Sequence, residues 1–425
     1  MNSMIPTIGE MLAGSAARVP ERRALVCDDQ ELSYRELNTR VNQTVRGFLQ
    51  QGITGGDRAA LLLHNRIELA VLLMGLARAG IVGIPLNYRL HPGELSAVLH
   101  QSGATVLFVG EELEPLFTAC DIHASSVRSV MQVKTSSAKG DGFWEICRGR
   151  PDSHLPAAAG PGRDSFIIYT SGTTGFPRGV VLTHGNHFWN AVNYSVAYGM
   201  TETDVELGLS PLFHSSTLGR MITCFFVGAA FVTSRQFHPQ TAMELIARNR
   251  VTSISQSPTM YAALCHLTGA DRYDTASVKR VVSGAAPLFP ALRKELTRLF
   301  PGAGVYDLYG LTEAAPGVSI LTPHDPPEKQ GERIARIEGH RPVEDLEGRH
   351  GEPPRLHVIA GAARAHPRIE PEVGESVGAL REGGRRLFHQ GSGRGVIAAV
   401  REGAGLGYIT LDILRVGIAA CQRGD

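Results

Sequence analysis

The sequence predicts an α/β chain of two stacked, parallel-rich subdomains within residues 1–325, on three observations. A strand, a helix and a second strand follow one another between Ala59 and Leu86. The same alternation returns between Met243 and Tyr306. The composition is that of an ordinary globular chain: 425 residues, 43% hydrophobic and 20% charged, enough for a large core and two or three domains.

Residues 33–50 read as a helix. Ser33 and Glu36 form a capping box, and Leu37, Val41, Val45, Phe48 and Leu49 fall on one face as core. Ala59–Leu63 is a buried strand, Asn65 is placed to cap the next helix, and Gly80 ends that helix. Ile81–Leu86 completes a βαβ unit, which implies a parallel sheet. Thr105–Val109 is a further strand, and the polar, loop-rich segment Thr135–Arg163 reads as the joint between the subdomains. Met243–Asn249 is helical and Thr252–Ser255 a short strand. Ser257 with Pro258 opens a helix. Val281-Val282 is a strand ending in a turn at Gly284; Pro290 opens a helix with Leu292, Leu296 and Leu299 on one face.

A net charge of +1 gives no electrostatic reason to expect nucleic acid or an anionic membrane as partner. The six cysteines are scattered without a CxxC pair, which argues against a zinc site or a disulfide framework and fits a reducing cytoplasm; each reads as a small buried hydrophobe. The N-terminus lacks a basic region followed by an apolar run, and apolar stretches such as Ala70–Leu76 are too short to span a bilayer.

The most informative stretch is Tyr169-Thr170-Ser171-Gly172-Thr173-Thr174-Gly175-Phe176-Pro177-Arg178-Gly179-Val180. It places hydroxyls and bare backbone amides directly behind the apolar strand Phe166–Tyr169, and a β pattern resumes at Val180. Each phosphate oxygen of a nucleotide needs a close donor, so the stretch reads as a phosphate-holding loop. Gly172, Gly175 and Gly179 allow close backbone approach and positive φ, and Arg178 adds a fixed positive charge. The spacing is not that of GxxxxGK[ST].

This stretch resembles the phosphate-loop signature of the adenylate-forming (AMP-binding) enzymes, which include acyl-CoA synthetases, peptide-synthetase adenylation domains and luciferases. Pro211-Leu212-Phe213-His214, Ser283-Gly284-Ala285-Ala286-Pro287-Leu288, Tyr309-Gly310-Leu311-Thr312-Glu313 and Leu32–Asn38 resemble further family segments, in the family's order. The resemblance is closest to an acyl-CoA synthetase (fatty-acid–CoA ligase) and runs from about Ile8 to about Pro327. It implies the family's large N-terminal domain, with ATP, Mg²⁺, coenzyme A and a carboxylic acid as ligands. By this resemblance Thr170, Ser171, Gly172, Thr173, Thr174 and Gly175 hold the β- and γ-phosphates. Arg178 stands where the family usually has Lys, keeping charge but changing donor shape. Glu313 binds Mg²⁺, Thr312 donates to the α-phosphate, and Gly284, Ala285 and Ala286 line the adenine under Tyr309. His214 lies near the carboxylate and walls the acyl pocket. Read singly, His214 or Tyr309 would be core and Glu313 a surface acid; their motifs set the roles. Arg220 is open between a helix-surface cation and a reader of a charged substrate group.

After Gln330 the character changes: residues 331–425 hold fourteen arginines, no lysine, seventeen glycines and two aromatics, Phe388 and Tyr408. The tail resembles a reading frame translated out of register and also fits a disordered Arg-rich segment; Gly395–Ala420 is more apolar and reads as locally structured. Domains are therefore expected at 1–327, an incomplete adenylation domain, and 328–425, an atypical tail. The family's β-barrel and small C-terminal domain, its Thr-Gly-Asp segment, hinge and late catalytic Lys are not recognisable. The resemblance thus implies an impaired synthetase, with a non-catalytic nucleotide- or acyl-binding pseudoenzyme or a gene remnant as the alternative.

Overall fold

The computed structural model describes residues 5–123, 125–134, 149–153, 155, 158–170 and 177–325, and in the tail four strand segments between Leu380 and Leu414. The chain divides into two compact units, 1–364 and 365–425.

The strands of the first unit are, in chain order, β1 (Arg23–Cys27), β2 (Gln30–Ser33), β3 (Arg58–Leu62), β4 (Val82–Pro85), β5 (Val106–Gly110), β6 (Ser129–Val133), β7 (Asp164–Thr170), β8 (Arg178–Thr183), β9 (Val205–Leu207), β10 (Ala230–Thr233), β11 (Ser253–Gln256), β12 (Arg280–Gly284), β13 (Gly304–Gly310) and β14 (Gly317–Leu321). They form a six-stranded sheet, β6-β5-β3-β4-β7-β8, and an eight-stranded sheet, β14-β13-β12-β11-β9-β10-β1-β2. Pairs are parallel except at three edges, β7–β8, β1–β2 and β13–β14. The expected α/β class with two parallel-rich sheets is therefore what the chain adopts.

One core fills the layer between the sheets, joining Leu61, Phe108 and Phe166 of the first to Leu25, Phe231 and Val282 of the second through the helices packed between them. The other two cores cover the outer faces, one under helices Pro239–Asn249 and Pro290–Leu299 and one under helix Pro92–Ser102. Helix Ile67–Ala79, the crossover from β3 to β4, is buried at every position and stops at Gly80, whose φ of 69° no Cβ-bearing residue adopts cheaply.

The capping box forms as expected: Ser33 Oγ accepts from Glu36 N (3.2 Å) and the Glu36 carboxylate accepts from Ser33 N (2.8 Å). Leu37, Val41, Val45 and Phe48 are buried behind it, but Leu49 is 51% exposed. Each four-residue step drifts about 40° around a helix, and by Leu49 the drift has left the buried stripe. Asn65 does not cap. Arg66 holds the cap position, and its side chain makes no capping bond there. Asn65 instead ties the two sheets together, donating to Ser210 O (3.1 Å) and Thr233 Oγ1 (3.0 Å) and accepting from Leu212 N (2.8 Å).

The Thr135–Arg163 segment does not join the subdomains. It runs from β6 to β7, both in the six-stranded sheet, and its described part lies along helix Tyr34–Gln50 through Asn42, Gln43 and Arg46. β6 is an edge strand whose exposed Val130 and Gln132 alternate with inward residues, so its polarity hid it in the sequence. Helix His184–Tyr198, capped by Thr183 and Asn186, makes the passage from β8 to β9.

The second unit contains an antiparallel meander, β15 (Leu380–Glu382), β16 (Arg385–Leu387), β17 (Ile397–Glu402) and β18 (Ile409–Leu414). β17 and β18 fall inside the apolar stretch Gly395–Ala420. Cys27 and Cys224 are buried, and Cys120 and Cys265 half-buried, as free thiols. Among the described residues no helix is long and apolar enough to cross a membrane.

Candidate active site

β12 and β13 run side by side with Gly284 opposite Leu308, so the turns that leave them emerge together at the carboxyl edge of the eight-stranded sheet. Open α/β sheets place ligands at that edge. Gly284 is half-buried, whereas Ala285 and Ala286 are exposed, giving a turn of small residues with a bare backbone. Ala285 has a φ of 68°, left-handed for a residue with a Cβ, a strain of roughly 1–3 kcal/mol of the kind found at functional turns.

Tyr309 follows, half-buried, and then the chain folds back on itself. Leu311 N donates to Pro316 O (2.9 Å) and Ala315 N to Thr312 O (3.0 Å). A Cβ on Gly310 would stand 2.1 Å from Pro316 O, so only glycine permits this closure. The closure holds Thr312, half-buried, and Glu313, exposed, in a single 3-10 turn.

Pro211, Leu212 and Phe213 are buried, with Leu212 pinned by Asn65, and deliver His214 to the start of helix Ser215–Val227. The His214 ring packs on Phe213 (4.4 Å between centroids), Phe213 on Tyr88 (5.2 Å), and Tyr88 on His64 (4.4 Å). Desolvation of the ring by these neighbours, and then the charge of Arg89, push the His214 pKa below its ordinary value. The residue is also exposed, and the water it meets limits that depression. The imidazole is neutral at pH 7. One residue on, Ser215 Oγ lies 3.1 Å from Thr312 Oγ1. Two motifs almost a hundred positions apart therefore meet hydroxyl to hydroxyl.

The stretch read as a phosphate loop is flanked by an antiparallel pair: Thr170 at the end of β7 pairs with Arg178 at the start of β8. Thr170 is half-buried and Arg178 exposed. Ser171, Gly172, Thr173, Thr174 and Gly175 lie outside the described residues. Gly179 differs from expectation: it sits in regular β8 without positive φ, and its need for glycine is contact, since a Cβ would meet Ile167 at 2.9 Å and Tyr169 at 3.2 Å. β8 packs against the Thr312–Ala314 turn, which brings this strand pair to the same edge as Thr312 and Ser215.

Arg220 is neither surface cation nor substrate reader. It is 2% exposed; Nε and Nη2 both donate to Glu206 Oε1 (2.9 and 2.6 Å), and its guanidinium lies 4.6 Å from the Tyr198 ring and 5.3 Å from that of Tyr194. Glu206 already neutralises it. A lone carboxylate inside the apolar run Val205-Glu206-Leu207 was the available sequence signal for this partner. Ser215 and Asn65 gave no such signal, because their roles depend on contacts from distant segments.

Among the described residues no three His, Cys, Asp or Glu side chains cluster to hold a metal ion. A single exposed carboxylate, Glu313, beside the stretch read as a phosphate loop fits Mg²⁺ arriving with a nucleotide, since this ion takes one or two carboxylates plus phosphate oxygens.

A model of the AMP-binding enzyme family matches residues 12–345. A feruloyl-CoA synthase of Amycolatopsis sp is 31% identical over 327 residues, covering 76% of this chain and 63% of its own length. The long-chain-fatty-acid–CoA ligase FadD13 of Mycobacterium tuberculosis is 29% identical over 326 residues, 76% of this chain and 64% of its own. This chain thus spans just under two thirds of the length of these curated relatives. An inhibitor-bound crystal structure of the N-terminal domain of FACL13 from Mycobacterium tuberculosis superposes with a TM-score of 0.71 at 28% identity, covering 76% of this chain and 81% of that one.

Proposed function

The chain belongs to the AMP-binding enzyme family, and from that premise we propose that its site activates a carboxylic acid with ATP and passes the acyl group to coenzyme A, in the cytoplasm. The observation that carries this reading is the 3.1 Å contact between Ser215 and Thr312, made where the Thr312 turn packs on β8. It gathers the acid-side, phosphate-side and closing motifs at one sheet edge.

The chemistry assigned to it is displacement at phosphorus. A carboxylate oxygen attacks the α-phosphorus of ATP, pyrophosphate leaves, and the acyl-adenylate then loses AMP to the thiolate of coenzyme A. Catalysis of such a step is mainly positioning and stabilisation of phosphate charge. In this reading Thr170, Ser171, Gly172, Thr173, Thr174, Gly175 and Arg178 hold the β- and γ-phosphates, and Thr312 donates to the α-phosphate. Gly284, Ala285 and Ala286 seat the adenine under Tyr309. Glu313 would hold Mg²⁺, which supplies charge neutralisation when bound. Neutral His214 walls the acid without competing for it as a cation.

Residues 1–327 are assigned to this adenylation domain and 328–425 to a distinct tail. No Thr-Gly-Asp segment occurs in the 425 residues, and residues 331–425 contain no lysine. Loss of one preorganised charge typically costs about 10²–10³ in rate, so a polypeptide of this sequence on its own is assigned weak ATP binding and little acyl-CoA formation. The second reading of the same site is a nucleotide- or acyl-binding pseudoenzyme. Acid-dependent ATP–pyrophosphate exchange separates them when measured beside nucleotide binding by calorimetry. Exchange with any acid supports the synthetase. Binding without exchange across aliphatic and aromatic acids supports the pseudoenzyme, and a folded chain that binds no nucleotide sinks both.

A further inference from the structure

One face of the eight-stranded sheet, opposite helices His184–Tyr198 and Ser215–Val227, is laid out in levels by strand register. Gly284 and Leu308 stand at the top, beside the site; Ser255, Val282 and Tyr306 share the next level; Glu206, Ser253 and Arg280 share the one below. β11 lies between β9 and β12, yet Ser255 is only half-buried, as are Tyr306 and Gly284. Access from the site edge therefore reaches down to the Ser255 level.

Below that level access ends. Ser253 and Glu206 are 0% exposed, Arg220 2% and Tyr198 3%. The Tyr198 ring abuts Tyr306 (5.3 Å between centroids), and Arg220, held by Glu206 and donating to Ser253 Oγ (3.4 Å), packs against Tyr198 from behind. Tyr194 fills the flank so closely that a Cβ on Gly317 would stand 2.8 Å from its ring.

We infer that Tyr198, backed by the Arg220–Glu206 pair, is the stop of the acyl pocket, so that this chain takes short or single-ring carboxylic acids and refuses long unbranched ones. The inference rests on the acyl-adenylate reading of the site and adds its substrate class. A ring entering past His214 and Gly284 meets the Ser255 hydroxyl last, while a long chain would have to displace a braced tyrosine and a buried ion pair.

The test uses non-reacting acyl-adenylate mimics, acetyl-, benzoyl- and dodecanoyl-sulfamoyl adenosine, titrated calorimetrically against the full chain. The dodecanoyl mimic should bind at least about tenfold more weakly than the benzoyl mimic, the scale set by misfit in a packed pocket. Tyr198→Ala should move the dodecanoyl-to-benzoyl ratio at least about tenfold toward the long chain, whereas Tyr198→Phe, which keeps the ring, should leave it unchanged. Tyr198→Leu, a smaller trim, serves if the alanine variant does not fold, and the native length series stands without either. Equal binding of dodecanoyl and benzoyl mimics to the native chain overturns the stop and leaves the acyl-adenylate reading intact, as does an equal shift in the Phe and Ala variants. Failure of every mimic to bind a folded chain overturns the acyl-adenylate reading and this inference with it.

Discussion

The two sheets of the first unit share a helical layer but differ in what their strands bury. In the six-stranded sheet β3, β4 and β5 are apolar apart from Arg58 at the start of β3, and the helix Ile67–Ala79 is buried throughout. Its buried cations are satisfied: Arg66 pairs with Glu68 and Glu112, and Arg78 donates to Asn42 Oδ1 (2.6 Å) and Gly9 O (2.8 Å). The eight-stranded sheet alternates apolar with polar residues, and buried Glu206, Gln256, Ser283 and Asp307 each keep a side-chain atom without a protein hydrogen-bond partner. Each such atom costs roughly 1–3 kcal/mol. The described strands of the six-stranded sheet hold no such atom, although His64, Glu112 and His187 beside them do; the strands of the other sheet, which carries the Gly284 and Thr312 turns, hold them directly, local violations of the kind that mark functional regions.

The comparison breaks most visibly at Glu206. Removing this carboxylate leaves Arg220 charged, buried and unpaired, so Glu206→Ala should cost about 3–5 kcal/mol. Replacing both partners, Glu206→Leu with Arg220→Met, should recover most of that, because an apolar pair of similar volume avoids desolvation altogether. Leu72→Ala in the scaffold helix should cost about 2–5 kcal/mol through its cavity, with no partner substitution able to restore it. Urea unfolding midpoints read all three. A double variant as damaged as Glu206→Ala would show that Arg220 and Glu206 contribute packing, not a removable charge pair.

The same contrast explains what was legible in the sequence. Ala59–Leu63, Ile81–Leu86 and Thr105–Val109 were readable as strands because nothing polar interrupts their cores. β9, β10, β1 and β2 were not identified: β9 carries Glu206 at its centre, and β1 finds its parallel partner β10 some two hundred residues away. Periodicity reports a residue's own neighbourhood, not which distant strand it joins, and for the same reason the polarity of Thr135–Arg163 points to a joint although both its ends belong to one sheet. The candidate motifs are legible because each is local. Their convergence, through Asn65 and through Ser215 against Thr312, was not.

A smaller effect reads two buried histidines of the shared helical layer by pH. His184 and His187 are buried where helix His184–Tyr198 meets β7, with His187 edge-on to Phe166 (5.4 Å), and burial lowers them from 6.5 to about 4 and about 3. Glu10 opposes the shift at His184, while His184 adds to the shift at His187. Ile8 N also donates to His184 Nδ1 (3.4 Å), which requires that nitrogen unprotonated. The folded state keeps both rings neutral where the unfolded state takes up protons. Their contribution is therefore complete above pH 6.5 and is lost as pH falls toward 4, at up to about 1.4 kcal/mol per pH unit for each ring. Urea midpoints should fall from pH 6.5 to 4.5, and His187→Phe, which keeps the ring and removes the titration, should flatten that limb. An unchanged slope in His187→Phe would assign the acid sensitivity to other groups.

The smallest predicted effect tests the junction itself. Ser215→Ala removes one hydroxyl from a neutral contact, worth about 0.5–1.5 kcal/mol. If the contact merely clips two segments together, the loss appears in the unfolding midpoint and nucleotide affinity stays fixed. If it aims the Thr312 hydroxyl at the α-phosphate, Ser215→Ala should weaken ATP binding by about two- to tenfold while stability changes by less than about 1 kcal/mol. A double-mutant cycle with Thr312→Val decides between these outcomes. With the Thr312 hydroxyl gone, Ser215 has nothing left to orient, so its removal should cost no further nucleotide affinity. Additive losses in the cycle would mean that the two hydroxyls act separately, and the 3.1 Å contact would then be proximity without coupling.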